Sequence, residues 1–521
     1  MKHFSISLLL ATAVCSTIPP ASRAEDVLAE KIHAIIDGPD YKQAHWGLLV
    51  VDAATGKAVY EREPDRLFIP ASTTKLFSCA AALAEFGPDY RFETPVYRRG
   101  EVREGILHGD LILVASGDLT FGGRLGKDGK VLFADHDHIY ANSDTTESAA
   151  TDSNPTHALE ELSKQIAAAC IREVRGEVLI DDRLFERARG SGSGPDTLSP
   201  VIVNDNVVDI IITPGAKEGE PAKCRLRPET AAVQMDGDVV TVAKGQRRHI
   251  EVRSAGAQRF GVHGQIPVDD RPQVRIYPVD SPALFARTLF IEALRRQGVK
   301  VPANLFFQAD RTPLPASKEY AEANRVAHFT SPPLGEAIKV TLKVSHNLYA
   351  STLPLLIAAH HGERTLASGL RRQGKILREL GVPVETISFA GGAGGASADA
   401  ITPRAAVQLL AAMGKRPDAQ VYFDALPVLG VDGTLVDVIG EDSPARGKVA
   451  AKTGTLFWSD LMNDRPLLTS KALAGTMETA KGTKLYLAIF VNDVPLPKGT
   501  TPVREGKVLG KVCEVIYQSG P

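Results

Sequence analysis

Residues 71–75, which read ASTTK, open a predicted helix that extends to about residue 86. A serine at the N-terminus of a helix and a lysine three residues later share one helix face, so the Lys75 amine can reach the Ser72 hydroxyl. The free amides of this helix end also favour a negatively charged group. A serine hydroxyl is a weak nucleophile without a base, and this pair supplies one. By itself, the pattern more often marks a helix cap followed by a solvated lysine.

A second segment, residues 345–347, reads SHN and lies between two predicted helices, 332–340 and 348–359. If Ser345 and Asn347 aim their side chains in the same direction, they can relay a proton and hold a substrate amide. A single tripeptide of this kind is weak evidence, and its value depends on what else the chain contains.

A third segment, residues 452–455, reads KTGT and follows apolar residues on a predicted strand. Gly454 lets a substrate backbone lie against this strand. Lys452 and the hydroxyls of Thr453 and Thr455 can hold a carboxylate. A strand that ends in a turn is the commoner reason for such a sequence, so this segment also carries little weight alone.

The order of the three segments carries more information than any one of them. Ser-x-x-Lys, Ser-x-Asn and Lys-Thr-Gly follow one another as in penicillin-recognising serine enzymes. The chain resembles the D-alanyl-D-alanine carboxypeptidase/endopeptidase family, the low-mass class C penicillin-binding proteins. Further segments that carry the resemblance are 109–113 (GDLIL), 116–118 (SGD), 280–283 (DSPA), 331–334 (SPPL), 425–428 (ALPV), 433–435 (GTL) and 472–475 (ALAG).

The resemblance implies an α/β fold, with a transpeptidase/β-lactamase-like catalytic domain and an inserted β-rich module. The residues that it assigns to catalysis are Ser72 as the acylated nucleophile, Lys75 as the base, and Ser345 and Asn347 as the proton relay. The residues that it assigns to the substrate's terminal carboxylate and the strand beside it are Lys452, Thr453, Gly454 and Thr455. The backbone amides of Ser72 and Thr455 would form the oxyanion hole. The resemblance implies no metal ion and no organic cofactor.

The pattern of predicted helices and strands changes at two points along the chain, and these points predict where its domains divide. Residues 92–279 contain short predicted strands and many glycine turns, whereas long helices dominate the rest. We expect residues 25–91 and 280–521 to form a split catalytic domain around an inserted module at 92–279. The polar stretch at about 125–156 is predicted to be a subdomain or flap, because long structureless loops are uncommon in compact domains.

The N-terminus predicts export. Residues 1–24 read as a signal peptide, with a basic start, a short apolar run and small residues before the expected cleavage after Ala24. The apolar run is too short to span a membrane, so we expect a protein of the periplasm or extracytoplasmic cell-wall space with no transmembrane anchor. Disulfides are permitted there. Separate buried thiols and one disulfide both remain open for Cys79, Cys170, Cys224 and Cys513.

Composition excludes several classes of partner. The chain has 521 residues and a net charge of −2, so no global positive field attracts nucleic acid or anionic lipid. Aromatic residues make up 6%, which is too few to favour a platform that stacks nucleic-acid bases. The expected partners are instead peptidoglycan stem peptides and β-lactam antibiotics, which would acylate Ser72.

Four positions depart from the family pattern or offer other chemistry. His346 stands where relatives have an acidic, amide-bearing or small residue, and we expect it to be a packing or surface substitution. Residues 391–397 read GGAGGAS, without the aspartate and the following basic residue that relatives carry, which puts recognition of the stem peptide's side chain in doubt. Residues 459–470 are predicted to form a long loop near the substrate carboxylate. Residues 135–138, DHDH, contain metal-ligand types, but a solvated loop is the favoured interpretation.

These observations predict an exported serine D-Ala-D-Ala carboxypeptidase, a DD-endopeptidase, or an enzyme with both activities, acting on peptidoglycan. One alternative is a β-lactamase or esterase on the same scaffold. A class A β-lactamase needs a glutamate-held water, and a class C enzyme usually has tyrosine in place of Ser345, and neither feature is evident. The other alternative is a catalytically weak peptidoglycan-binding protein, which only residues 391–397 favour.

Overall fold

The computed structural model describes residues 21–142, 147–256, 258–306 and 313–521. The predicted signal peptide therefore lies outside the described residues up to residue 20, and the first helix begins at Ala21. The α-helices are α1 (Ala21–Ile36), α2 (Thr74–Phe86), α3 (His157–Ala168), α4 (Pro282–Arg296), α5 (Leu334–Lys343), α6 (Asn347–His360), α7 (Leu366–Glu379), α8 (Pro403–Gly414), α9 (Ala419–Asp424) and α10 (Val503–Ser519). The strands are β1 (His45–Asp52), β2 (Ala58–Arg62), β3 (Glu93–Arg103), β4 (Ile106–Val114), β5 (Glu173–Val174), β6 (Val178–Asp181), β7 (Ala188–Arg189), β8 (Thr197–Leu198), β9 (Val207–Thr213), β10 (Lys223–Arg227), β11 (Gln234–Val242), β12 (His249–Ser254), β13 (Arg259–Pro267), β14 (Gln273–Pro278), β15 (Arg325–Thr330), β16 (Ile387–Ser388), β17 (Ala400–Ile401), β18 (Val449–Asp460), β19 (Arg465–Glu478), β20 (Lys484–Asn492) and β21 (Val494–Pro495).

One antiparallel sheet joins the two ends of the chain. Its strand order is β18-β19-β20-β1-β2, with β21 added to β19. Successive side chains of a strand point to opposite faces. On β1, Leu48 and Val50 pack into the core that α1 and α10 share, whereas Leu49 and Val51 pack into the core that contains α2 and α8. Because both faces are covered by helices, β1 is apolar along almost its whole length.

The adjacent strands β18 and β19 differ from the prediction in one respect. The predicted long loop at 459–470 is wrong, because β18 continues to Asp460 and β19 starts at Arg465 with the two residues paired. The apolar pattern is interrupted by polar residues around this turn, which hid the hairpin. The exposed large apolar side chains of the hairpin are Phe457, Trp458, Leu461 and Met462.

A second core contains the β-rich part of the chain. Its sheets have the orders β15-β3-β4-β5, with β6 on β4, then β10-β9-β14, and β11-β13-β12. The helix α4 and the strand β15 belong to this core, since Phe285, Leu289 and Phe329 pack there and β15 pairs with β3. The expected boundary at residue 280 gives α4 and β15 to the catalytic domain. We propose instead that the inserted module extends to about residue 330.

Several predictions at the level of single elements can be compared directly. The predicted helices at 73–86 and 348–359 are confirmed as α2 and α6. All four described cysteines are free, so the thiols are separate, but only Cys79 and Cys513 are buried, whereas Cys224 is half-buried and Cys170 is exposed. Across the described ranges, none of the helices combines the length and the apolar character that crossing a membrane requires.

Candidate active site

Ser72 lies at the N-terminal end of α2, in a single 3₁₀ turn formed by Ala71–Thr73. Ala71 has a φ of +45°, in the left-handed region that non-glycine residues adopt rarely. The turn packs directly on β18. A Cβ atom on Gly454 would lie 2.5 Å from the Pro70 carbonyl oxygen, so only glycine lets the strand approach the nucleophile turn this closely. Gly454 therefore permits this packing, and its expected role beside a substrate backbone stays a prediction.

Lys75 is fully buried beneath Ser72 and contacts three oxygen atoms. Its Nζ lies 2.7 Å from Ser72 Oγ, 2.7 Å from Asn347 Oδ1 and 2.8 Å from the Ala393 carbonyl oxygen. Burial lowers the pKa of Lys75 to about 7, because the charged ammonium loses its water. A neutral amine keeps two N–H donors for Asn347 and Ala393 and offers its lone pair to the Ser72 hydroxyl. The contacts of Lys75 are therefore compatible with the neutral amine, which can act as a base, and with the charged ammonium.

The SHN segment forms the start of α6. Ser345 has a φ of +63°, and His346 caps the helix by accepting a hydrogen bond from the Tyr349 backbone N–H. The His346 ring is buried and stacks on the Tyr349 ring at 3.7 Å between centroids. The expected packing role of His346 is confirmed. Because the imidazole turns inward, the side chain of Asn347 is left to meet Lys75.

The KTGT segment brings two kinds of side chain to the site. Lys452 is fully buried, and its Nζ donates to the Thr453 carbonyl oxygen at 2.8 Å. Burial, together with the nearby charge of Lys75, holds the pKa of Lys452 well below its usual range. Thr453 and Thr455 instead face a cavity of about 510 Å³ that also contains Ser72, Ser345 and Asn347 in its lining. Lys75 and Lys452 lie behind this lining.

The glycine-rich segment 391–397 closes one side of the site. A Cβ atom on Gly392 would lie 2.0 Å from the Ala350 carbonyl oxygen, and one on Gly394 would lie 1.8 Å from that of Ala71. These glycines therefore permit close backbone packing. Asp399 lies under the segment and accepts hydrogen bonds from two of its flanking amides, those of Ala390 and Ala396. The sequence pattern did not point to Asp399, because this aspartate lies two residues after the segment 391–397 in which relatives carry theirs.

The inserted module also reaches the site, which the sequence analysis did not predict. Tyr140 lines the cavity and donates a hydrogen bond to the Ser345 carbonyl oxygen. Asn347 Nδ2 donates to the Ser193 carbonyl oxygen at 2.9 Å. Both contacts join residues more than 150 positions apart, and nothing in the local pattern of either segment signals them. The predicted flap at about 125–156 thus contacts Ser345, a predicted site residue, through Tyr140.

Two residues of this flap, Asp137 and His138, belong to a buried ion-pair cluster next to α6. Arg124 donates to Asp137 at 2.7 Å and to Asp205 at 2.6 Å, and His138 contacts Asp205 and Asp209. The prediction of a solvated loop at 135–138 is wrong for Asp137 and His138, both of which are buried. The local sequence around these two residues does not contain the arginine and the two aspartates that pair with them in the folded protein.

One subset of this cluster has the composition of a cation site. Asp137, Asp205 and His346 bring ligand atoms within 4.8 Å of one another. Both carboxylates, however, already accept hydrogen bonds from the Arg124 guanidinium, whose positive charge occupies the place that a metal ion would take. The cluster is therefore a network of buried ion pairs in this structure.

Comparison with known proteins gives consistent matches over most of the chain. A model of the D-Ala-D-Ala carboxypeptidase 3 (S13) family matches residues 28–506. A D-alanyl-D-alanine carboxypeptidase of Actinomadura sp. is 31% identical over 457 residues, which are 82% of this chain and 76% of the relative. The D-alanyl-D-alanine carboxypeptidase DacB of Haemophilus influenzae is 23% identical over 86% of this chain and 85% of its own length. The crystal structure of penicillin binding protein 4 (dacB) from Haemophilus influenzae superposes with a TM-score of 0.67 at 19% identity, covering 96% of this chain and 100% of that chain. The two chains therefore share a fold.

Proposed function

The chain belongs to the D-Ala-D-Ala carboxypeptidase 3 (S13) family and is a serine-type carboxypeptidase, and from that premise we propose that Ser72 carries its acyl-enzyme. One observation carries the assignment: Lys75 Nζ lies 2.7 Å from Ser72 Oγ, inside a site that lowers the pKa of this lysine to about 7. A base whose pKa lies near the working pH has a useful neutral fraction and still holds a proton well. Among the described serines that line the cavity, Ser72 is the one whose hydroxyl meets a lysine amine.

Acylation begins with a proton transfer from Ser72 to Lys75. As neutral Lys75 takes the hydroxyl proton, Ser72 Oγ forms a bond to the carbonyl carbon between two D-alanines of a stem peptide. The carbonyl electron pair moves to oxygen, where the backbone amides of Ser72 and Thr455 would stabilise the negative charge. The roles follow the contacts of the resting site, with Lys75 oriented by Asn347 and Ala393.

The acyl-enzyme forms when the carbon–nitrogen bond breaks. The leaving amine must gain a proton, and the proton on Lys75 can reach it through Ser345, which lines the cavity beside Asn347. A water molecule then attacks the ester, its proton passes to Lys75, and the ester bond breaks so that Ser72 regains its hydroxyl. The reaction consumes one water and returns every group to its starting state.

The substrate and the location of the enzyme follow from the same premise. The relatives from Actinomadura sp. and Haemophilus influenzae are D-alanyl-D-alanine carboxypeptidases, and penicillin binding protein 4 from Haemophilus influenzae has also been solved in complex with a β-lactam. We therefore propose that stem peptides of peptidoglycan are the substrate and that β-lactams acylate Ser72. This assignment requires an extracytoplasmic location, which agrees with the predicted signal peptide. Carboxypeptidase and endopeptidase activity use the same acylation step.

The test is the intact mass of the full chain after incubation with penicillin. We expect one added penicilloyl group, located on the peptide that contains Ser72 and absent from Ser72→Ala. Ser254→Ala, an exposed serine of the inserted module, is the matched control and should be labelled like the unaltered protein. An unchanged mass would support the weak binding protein, rapid release of hydrolysed penicillin would support the β-lactamase, and a label elsewhere would contradict the assignment to Ser72.

A further inference from the structure

The lining of the active-site cavity is almost free of charge. Besides Ser72, Ser345, Asn347 and the threonines of the KTGT segment, it consists largely of apolar and glycine residues. Among the described residues that line it, Lys471 is the one with a charged side chain. The three motifs do not contain Lys471, and it lies in the stretch after the wrongly predicted loop.

The position of Lys471 is fixed by strand pairing. Lys471 on β19 is the direct partner of Thr455 on β18, and its Nζ donates to Thr455 Oγ1 at 2.9 Å. Gly506 at the start of α10 lies beside this side chain, and a Cβ there would be in ordinary contact with Lys471 Nζ, at 3.4 Å. A lysine at this register position therefore brings its charge to the same end of the cavity as the Thr455 hydroxyl.

The surroundings of this ammonium are suited to an anion. Within the described ranges it donates to a single partner, a neutral hydroxyl, so two of its three N–H groups remain for a ligand. Burial lowers the pKa of Lys471 to about 8, and the negative charge of Glu505 opposes that effect. An anion bound in the cavity would stabilise the charged form further.

The other lysine near the substrate is poorly placed for this task. Lys452 is expected from the family resemblance to help hold the terminal carboxylate, but its ammonium is fully buried behind the lining. It donates to the Thr453 carbonyl oxygen and lies beside the charge of Lys75. A carboxylate in the cavity would meet Lys471 instead.

We propose that Lys471 is a substrate-binding residue that holds the carboxylate of the residue released on acylation, an inference that rests on the proposed function. That residue carries a free carboxylate next to the scissile bond, whether it is a terminal D-alanine or the D-centre of a cross-link. Because Thr455 Oγ1 accepts its hydrogen bond from Lys471, the hydroxyl proton of Thr455 is free to donate to the same carboxylate. The two groups together recognise one charged end of the substrate.

The experiment compares two peptides that differ only at this carboxylate. A diacetyl-lysyl-D-Ala-D-Ala peptide and its C-terminal amide are assayed with the unaltered chain, Lys471→Met and Lys471→Arg. We expect the preference in kcat/KM for the free carboxylate over the amide to fall roughly ten- to a hundredfold in Lys471→Met, as is typical of a lost charge-assisted hydrogen bond. Lys471→Arg should keep most of the preference because it keeps the charge.

The controls separate charge from folding and from the proposed function. Lys507→Met removes an exposed lysine from α10 next to Gly506 and should leave the preference unchanged. If Lys471→Met does not fold, Lys471→Gln removes the charge with a polar side chain and is judged by the same ratio. An unchanged preference in either variant, or an equal loss on both peptides, would overturn the role of Lys471. Hydrolysis that survives in Ser72→Ala would instead overturn the proposed function. The ratio of kcat/KM between the two peptides would still test whether Lys471 recognises the carboxylate.

Discussion

The cluster around Lys75 and the cluster around Arg124 are both buried, and both contact residues 345–349. Lys75 is surrounded by the neutral oxygens of Ser72, Asn347 and Ala393. Arg124 lies between Asp137 and Asp205, and Asp205 also accepts a hydrogen bond from the Tyr349 hydroxyl. Both side chains are therefore buried, but Lys75 is surrounded by neutral oxygen atoms and Arg124 by negatively charged carboxylates.

The difference explains why one region can transfer protons and the other cannot. Burial without a carboxylate partner lowers the pKa of Lys75 to about 7. Burial also lowers the pKa of Arg124, but the charges of Asp137 and Asp205 outweigh it and keep the guanidinium charged. In the proposed mechanism the first cluster supplies a base, whereas the second contacts the start of α6 through Asp205 and Tyr349. Each of the following predictions removes or alters one part of this contrast.

The largest effect should follow from making the two cations alike. Lys75→Arg keeps the positive charge but does not give up its proton, so acylation of Ser72 by penicillin should slow by roughly 10²- to 10⁴-fold. Mass spectrometry over time gives the rate. Lys507→Arg, an exposed lysine, is the matched control. Acylation by Lys75→Arg at the normal rate would show that Lys75 is not the base.

Removing the cation from the second cluster should reduce stability. Arg124→Met leaves two buried carboxylates without their partner, which typically costs about 3–5 kcal/mol. Arg103→Met removes the exposed pair with Glu101, in which both side chains are more than 70% exposed, and should cost under about 1 kcal/mol. Thermal unfolding followed by circular dichroism compares the variants. Equal shifts in the melting temperature would show that the Arg124 cluster contributes no more than a surface pair.

A smaller effect concerns pH. Neutral Lys75 is the reactive form, so the acylation rate should rise about tenfold per pH unit below a midpoint near 7 and level off above it. Burial is the main cause of the low pKa of Lys75, the Cys79 thiol and the Asp399 carboxylate raise that pKa, and Lys452 interacts with the same amine. Asp399→Asn should therefore move the midpoint to lower pH. A rate that stays constant between pH 5 and about 9 would contradict the assignment of Lys75 as the titrating base.

The parts of this contrast differ in how far the sequence predicts them. The Ser72–Lys75 pair follows from helical periodicity, because residues three apart share a face whatever surrounds them. The Arg124 cluster depends on contacts between residues about 70 to 80 positions apart in the inserted module, for which local patterns contain no signal. The same limit applies to Tyr140 and Ser193, which complete the site from that module.

Lys471 and the domain boundary were missed for a related reason. The polar turn at 461–464 interrupts the apolar alternation of β18 and β19, so the sequence predicts a loop where the structure has a hairpin, and the register of Lys471 with Thr455 stays hidden. The start of α4 is visible at Pro282, but the core that it packs into is shared with α3 and β6, which lie more than 100 residues earlier in the chain. Element type is local information, whereas packing partner is not.

The smallest effect should come from His346, which lies between the two clusters. Its ring caps α6 and stacks on Tyr349, and its Nε2 lies 3.6 Å from Asp205 Oδ2. Burial lowers the pKa of His346, so the imidazole is neutral near pH 7 and contributes packing rather than charge. Asparagine is also a good helix cap, so His346→Asn should lose mainly the ring stacking, about 0.5–1.5 kcal/mol. We expect its melting temperature to fall slightly and its acylation rate to change by less than about threefold, since Asn347 and Lys75 keep their contacts. A loss of acylation close to that of Lys75→Arg, with the melting temperature unchanged, would show that His346 takes part in proton transfer and that the two clusters act as one.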